Sequence, residues 1–459
     1  MQRRLRLRDL VALGLAGILP VGAPIGVAPL VKYAGESAIW PALLGYAMVL
    51  LSAVPILEYS RLARFVGGYY GLAELGLGPL AGKYTAAANY LYYVAWQAQN
   101  ALQAGWVVYG ITGSPAAWAA AVVGVLLLSY AGASSQPRRY AGDVLIPALA
   151  FTASITAALD VYVIAASPYR SLRPLFPGGW NGVAVAAAVQ GFWMYVGYGT
   201  PLFYSEEAES PSRDVWRAVV ISATISAALY VLSAYAVVAA VPPSTIGEVA
   251  ASPMPYVDAW SRYLPAWLLA AYPLLIAPAV LAYGGPSGSH ARLLWAMARD
   301  GFVGYERLKE LDRNGVPRNA ALFNLAVSSA FAAAAATYVF VRSGLSPASA
   351  EIAWLFASTA ATVLWYAHHL LPEIALYPYL LRAGPYRRGP RALLVGVVAP
   401  IAGTAILVYT LYVTASTKLQ YTPAICAGVA LSVAALLYTL LRKARGKLGS
   451  STIYYFLEK

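Results

Sequence analysis

About twelve apolar stretches, each of roughly 20 residues or more, follow one another along this chain, the length an α-helix needs to cross a bilayer core. Their limits are 10–32, 39–62, 79–110, 114–134, 142–166, 183–204, 215–241, 265–297, 318–343, 348–371, 391–413 and 421–442. No water reaches backbone groups in hydrocarbon, so each stretch must satisfy its own N–H and C=O groups as a helix. Composition agrees: of 459 residues 60% are hydrophobic and 11% charged, against about 25% charged in a soluble domain. The expected class is an all-α polytopic membrane protein with about 12 transmembrane helices.

The net charge of +13 follows from where Lys and Arg stand. They gather in connections on the side of the N-terminal M-Q-R-R-L-R-L-R-D, as the positive-inside rule requires. The expectation is a multi-pass protein of the cell (plasma) membrane with both termini cytoplasmic, and no nucleic-acid partner. A basic start before an apolar run is also the form of a secretion signal. This run is too long and has no small-residue cleavage site, so it reads as a retained first span. The single cysteine, Cys426, excludes an intrachain disulfide and a multi-cysteine metal site.

Two spans are interrupted. The first contains P-V-G-A-P-I-G at 20–26 and the sixth G-Y-G-T-P at 197–201. An interior Gly costs a helix about 1 kcal/mol and an interior Pro about 3. The freed backbone groups are tolerable at membrane depth where they face a cavity and a ligand. A pair of such breaks five spans apart fits two five-span units of inverted topology, with a binding site at the breaks. The bland alternative is two simple kinks absorbed by neighbouring helices.

Several motifs resemble the amino acid–polyamine–organocation (APC) superfamily. They are E-Y-S-R-L-A-R-F-V-G-G-Y-Y from Glu58, L-G-P-L-A-G from Leu77, F-W-M-Y-V-G from Phe192, E-A-E-S-P-S-R-D-V-W-R-A from Glu207, R-L-L-W-A-M-A-R-D-G from Arg292 and G-V-P-R-N-A from Gly315. The resemblance implies a LeuT-type 5+5 inverted repeat with discontinuous helices 1 and 6. The repeats would span about 10–166 and 183–371 within a transport core of 10–371. Residues 391–442 would form peripheral helices, with tails at 1–9 and 443–459. It further implies a permease carrying amino acids by alternating access, proton-coupled or exchanging, and no enzyme. An amine or polyamine permease is the alternative, and a transport-deficient nutrient sensor a third reading.

In such permeases the first break binds the substrate carboxylate and the sixth span its amino group. Gly22, Ala23, Ile25 and Gly26 fall at the first break; Trp193, Met194, Val196, Gly197 and Gly199 fall at the sixth. Trp193 matches the aromatic that closes over the ligand. Pro24 has no N–H and Ala23 no hydroxyl, which leaves either Ile25 and Gly26 as donors or a ligand without a carboxylate.

The remaining constellations are read from spacing. Thr152, Thr156 and Asp160 recur every four residues, and a carboxyl inside a membrane segment is a functional candidate by default. Thr156 and Asp160 are therefore expected to couple a proton, favoured here over sodium. In the third span Asn89, Tyr92, Trp96, Gln99, Asn100 and Gln103 make a polar stripe that either lines a cavity or bonds helices together. Tyr92 and Trp96 are the substrate-binding candidates among them. His368, His369 and Glu373 read as a solvated cytoplasmic helix end rather than a metal site. The charged run Glu206, Glu207, Glu209, Arg213, Asp214 and Arg217 reads as solvated or as part of an inner-gate ion network. No phosphate loop or H-E-x-x-H is present, and no cofactor is expected. The expected partners are a small amino acid or amine and membrane lipid.

Overall fold

The computed structural model describes residues 4–18, 23–64, 67–252, 255–383, 390–417, 422–449, 451–452 and 454–455. The chain is almost wholly helical. Its first half comprises α1 (Leu7–Ile18), α2 (Ala23–Ala34), α3 (Ile39–Leu62), α4 (Tyr69–Leu77), α5 (Pro79–Thr112), α6 (Pro115–Ala133) and α7 (Pro137–Ala166). Then come α8 (Trp180–Ala186), α9 (Pro211–Ala239), two short helices α10 (Ile246–Ala251) and α11 (Pro255–Trp260), and α12 (Ala266–Arg299). The last are α13 (Arg318–Ser343), α14 (Pro347–Ala383), α15 (Ala399–Thr417) and α16 (Thr422–Ala444).

Helix limits follow local chemistry. Pro79, Pro115 and Pro211 occupy first helical positions, where the missing N–H costs nothing. Ser114 caps α6 by accepting from the Ala117 N–H at 3.3 Å. The left-handed Gly113 closes α5, a conformation that glycine adopts without a Cβ penalty.

Among the described residues eight helices are long and apolar enough to cross a membrane. The expected spans outside that set are the first, third, sixth and eleventh. The first includes residues 19–22, which lie outside the described residues, the sixth is divided, the third is α5 with its amide- and tyrosine-rich face, and the eleventh passes from Pro390–Leu393 through a π-helical turn, Leu394–Val398, into α15. The outer surface is apolar, with Val123, Leu127, Val341, Tyr412 and Leu437 exposed, whereas Asn89, Thr156, Asp160, His290, Arg292 and Glu373 are buried. Lipid takes the place of a hydrophobic core partner, so polar groups turn inward.

α14 packs along α5 and α4, and α9 lies against α1, α3 and α7. In the eighth span a 3-10 segment, Ala277–Tyr283, leads into glycines that pack closely on a neighbouring helix. A Cβ on Gly284 would fall 2.7 Å from the Gly132 Cα of α6. One two-residue ladder pairs Ala63–Arg64 with Tyr454–Tyr455.

Candidate functional site

α1 is described to Ile18 and α2 from Ala23; residues 19–22, Gly22 and the start of the expected first break among them, lie outside the described residues. On the sixth span α8 passes into a π-helical turn, Ala187–Gly191, then a single 3-10 turn, Trp193–Tyr195. Val196 is extended, Gly197 has a φ of 102°, and a 3-10 segment, Thr200–Glu207, completes the span. A side chain at position 197 would be strained, which explains the glycine.

The sixth-span interruption touches the last described turn of α1. A Cβ built on Gly17 would sit 2.4 Å from the Gly197 carbonyl oxygen, and one on Gly197 2.3 Å from the Gly17 carbonyl oxygen. Backbone meets backbone there because neither residue has a side chain. Tyr230 of α9 ties α1 to the sixth span: its hydroxyl donates to the Ile18 carbonyl at 3.2 Å and to the Met194 carbonyl at 3.0 Å. One O–H proton serves two acceptors, so a carbonyl at this junction keeps acceptor capacity for a ligand ammonium group.

Beside this junction lies a cavity of about 200 Å³, smaller than the roughly 300–1,000 Å³ of drug-sized sites. Gly26, Trp96, Trp193, Met194 and Val196 line it, as the sequence expectation has them. Gln99, Asn100 and Gln103 of the α5 stripe do so too; Trp354 Nε1 donates to Gln99 at 3.0 Å and Gln99 Nε2 to Asn100 at 2.8 Å. No charged side chain lines the cavity among the described residues.

Other expected contacts fall elsewhere. Ala23 is buried outside the lining, and the side chain of Ile25 lies outside the described residues. Tyr92 packs its ring on Tyr93 and His368 instead of the cavity. Gly197 and Gly199 serve the backbone: Gly197 meets Gly17, and the space a Cβ would fill at Gly199 is taken by the Tyr69 hydroxyl. Sequence reading missed Gln190, Tyr230, Thr359, Thr362 and Tyr366, all in the lining. The last three recur at spacings of three and four on an apolar helix, a face that periodicity could have shown.

Asp160 and Thr156 are buried, as the four-residue period suggests, but form a separate polar site outside that lining. Ser233 Oγ donates to one Asp160 oxygen at 2.6 Å and the Tyr256 hydroxyl to the other at 2.8 Å. The Thr156 hydroxyl lies 3.2 Å from that of Tyr272.

The expectation of a solvated end at His368, His369 and Glu373 is overturned. α14 continues through Pro372 and Pro378 to Ala383, beyond the expected limit at 371, because its neighbours hold it in place. All three side chains are buried. The charged run is divided between the two expectations. Arg213 and Glu209 are exposed, whereas Glu207 pairs with the buried Arg292 at 2.5 Å. Glu206 bonds Arg299 at 3.3 Å, and Arg299 reaches Asp300 at 3.1 Å. Lys83 stands 3.6 Å from both Asp300 and Glu74. These groups lie at the Lys83 end of α5, whereas the cavity lies farther along that helix, at Trp96 to Gln103.

A helical membrane bundle whose interrupted sixth span meets α1 beside an uncharged chamber has the form of a membrane transporter. Residues 6–434 match the amino acid permease family, and the chain belongs to it, within the APC superfamily. Similar proteins include an uncharacterized transporter of Mycobacterium tuberculosis, 27% identical over 338 residues, or 73% of this chain and 74% of that protein. A glutamate/serine transporter of Bacillus subtilis is 24% identical over 363 residues, 72% of this chain and 66% of its own. A vacuolar cationic amino acid transporter of Arabidopsis thaliana is 31% identical over 120 residues, 25% of this chain and 20% of that one.

Proposed function

We propose that this permease is a secondary active transporter that carries a small zwitterionic amino acid by alternating access, driven by protons or by exchange. In this reading residues 10–166 and 183–371 form inverted repeats of a twelve-span, LeuT-type core in the cell membrane, with 391–442 peripheral and both tails cytoplasmic. The observation that carries it is the contact of Gly17 with Gly197 beside a chamber without charged side chains. Broken helices present backbone dipole ends, so a carboxylate and an ammonium group can each be held without a side-chain counter-ion. Gly26, Trp96, Trp193, Met194 and Val196 are the proposed substrate contacts. Trp193 would close over the ligand.

The amine or polyamine alternative has less support. A multiply charged cation in a membrane-depth cavity calls for a carboxylate, and none lines this one among the described residues. The relatives' names favour amino acids. Uptake into proteoliposomes across a panel of amino acids and amines, under a pH gradient and separately a sodium gradient, tests the proposal. Accumulation of one or a few neutral amino acids is expected. Uptake of amines alone would replace the substrate class, and no uptake or exchange of any panel member would end the carrier reading.

A further inference from the structure

We propose that His369 and Glu373 of α14 together form the site that binds and releases the coupling proton. The inference rests on the carrier reading above and names the ligand of a second site within it. The two residues are one helical turn apart, on the same face. Both are 0% exposed, and His369 Nδ1 stands 3.6 Å from Glu373 Oε1. Ser52 Oγ of α3 donates to that oxygen at 2.6 Å. Glu373 Oε2 and both imidazole nitrogens hydrogen-bond to nothing among the described residues. The pair therefore has proton-binding positions that the fold does not consume.

Its surroundings link it to the moving parts. Trp365 stacks on His369 with centroids 4.1 Å apart and meets Phe192 edge-on at 4.8 Å; Phe192 lines the cavity. Tyr69 of α4 lies 4.5 Å from His369, and its hydroxyl fills the space beside Gly199. Tyr198, next to the sixth-span break, lies 5.8 Å away. The titratable neighbours are thus Tyr69, Tyr198 and His368, with Tyr92 of α5 behind His368. Gly403 of α15 packs on Glu373 Oε2. No Lys or Arg of any helix is paired with Glu373 among the described residues.

An enclosed carboxylate without a cation costs several kcal/mol, so while water is excluded the pair keeps one proton between them and is neutral. A rearrangement of the sixth span repacks Tyr198 and Tyr69 and admits water. Each group is then solvated alone, and the proton passes to water on that side. Return of a proton from the opposite side restores the neutral pair, so one proton crosses per cycle and no other species is consumed. Asp160 differs in that each of its oxygens accepts a hydroxyl donor, whereas Glu373 Oε2 accepts none among the described residues.

The test uses the full chain in proteoliposomes with a trapped pH dye. It compares substrate accumulation under an inward proton gradient with substrate exchange at equal pH. Glu373→Gln and His369→Gln are each expected to lower gradient-driven accumulation and accompanying proton influx at least tenfold. Exchange should stay within about threefold of the unaltered protein. Should one variant fail to assemble, the other carries the test. Accumulation unchanged in both, or accumulation and exchange lost in equal proportion, overturns the assignment. So does accumulation that Asp160→Asn abolishes and the pair variants spare. If the unaltered protein exchanges amino acids but ignores the proton gradient, this inference fails while the carrier reading stands.

Discussion

Gly197 carries two demands at once: a φ of 102° and a neighbouring carbonyl where a side chain would go. Gly197→Ala is therefore expected to destabilise the protein by about 2 kcal/mol or more and to abolish uptake. Thermal unfolding of the purified variant checks the first, and an unchanged Tm would show that Gly17 and Gly197 do not press together. Trp193 differs, since it is half-buried and faces the cavity. Trp193→Ala should lower uptake kcat/KM at least tenfold, about 1.4 kcal/mol, with Tm nearly unchanged. Normal uptake by that variant would remove Trp193 from the substrate site. The sequence pointed to Trp193 because aromatic residues beside a break stand out locally. It could not show that Tyr92, on the same helix as Trp96, faces His368, since one helical face offers several neighbours.

α9 is a continuous helix, and its Tyr230 bonds both α1 and the sixth span. Tyr230→Phe keeps the ring packing against Tyr195 and removes only the hydroxyl shared by Ile18 and Met194. A net hydrogen bond is worth about 1 kcal/mol, so Tm should fall little. Uptake should drop about fivefold, because the junction loses the group that orients its carbonyls. Equal uptake by Tyr230→Phe would show that the carbonyls are positioned without it. The π-helical turn Ala187–Gly191 also belongs to this scale. It packs against α3 and α15, and a Cβ on Gly191 would meet the Pro41 carbonyl at 2.3 Å.

Across the molecule, both ends of the described chain fasten to the side of the bundle that holds the ion network. Arg4 and Leu5 donate backbone hydrogen bonds to the Glu207 carbonyl. Near the C-terminus, Lys83 donates to Ser451 at 2.9 Å, Ser451 bonds Glu74, and Thr452 Oγ1 donates to Asp300 at 3.1 Å. The Tyr70 hydroxyl adds a 2.5 Å bond to Asp300. Removing one member of a buried pair leaves an uncompensated charge, at a cost on the order of 3 kcal/mol. Lys83→Met is accordingly expected to lower Tm by several degrees and to make it less sensitive to salt. Ser451→Ala combined with Thr452→Ala should cost about 1–2 kcal/mol. A Tm unmoved by Lys83→Met would mean that water already reaches the network.

Hydropathy, the side on which basic residues gather, and Gly/Pro interruptions are local properties. For that reason the polytopic helical class, the interruption of the sixth span and the family were all legible from residues alone. What the breaks do is a matter of long-range packing, since Gly17 and Gly197 lie far apart along the chain and meet only because neither has a side chain between the backbones. The same holds for His369 and Glu373. Their sequence context, beside two prolines, matches a helix end, and only the packing of α14 against α3 and α4 turns them into an enclosed pair. Burial is a property of neighbours, and neighbours are chosen by the whole fold.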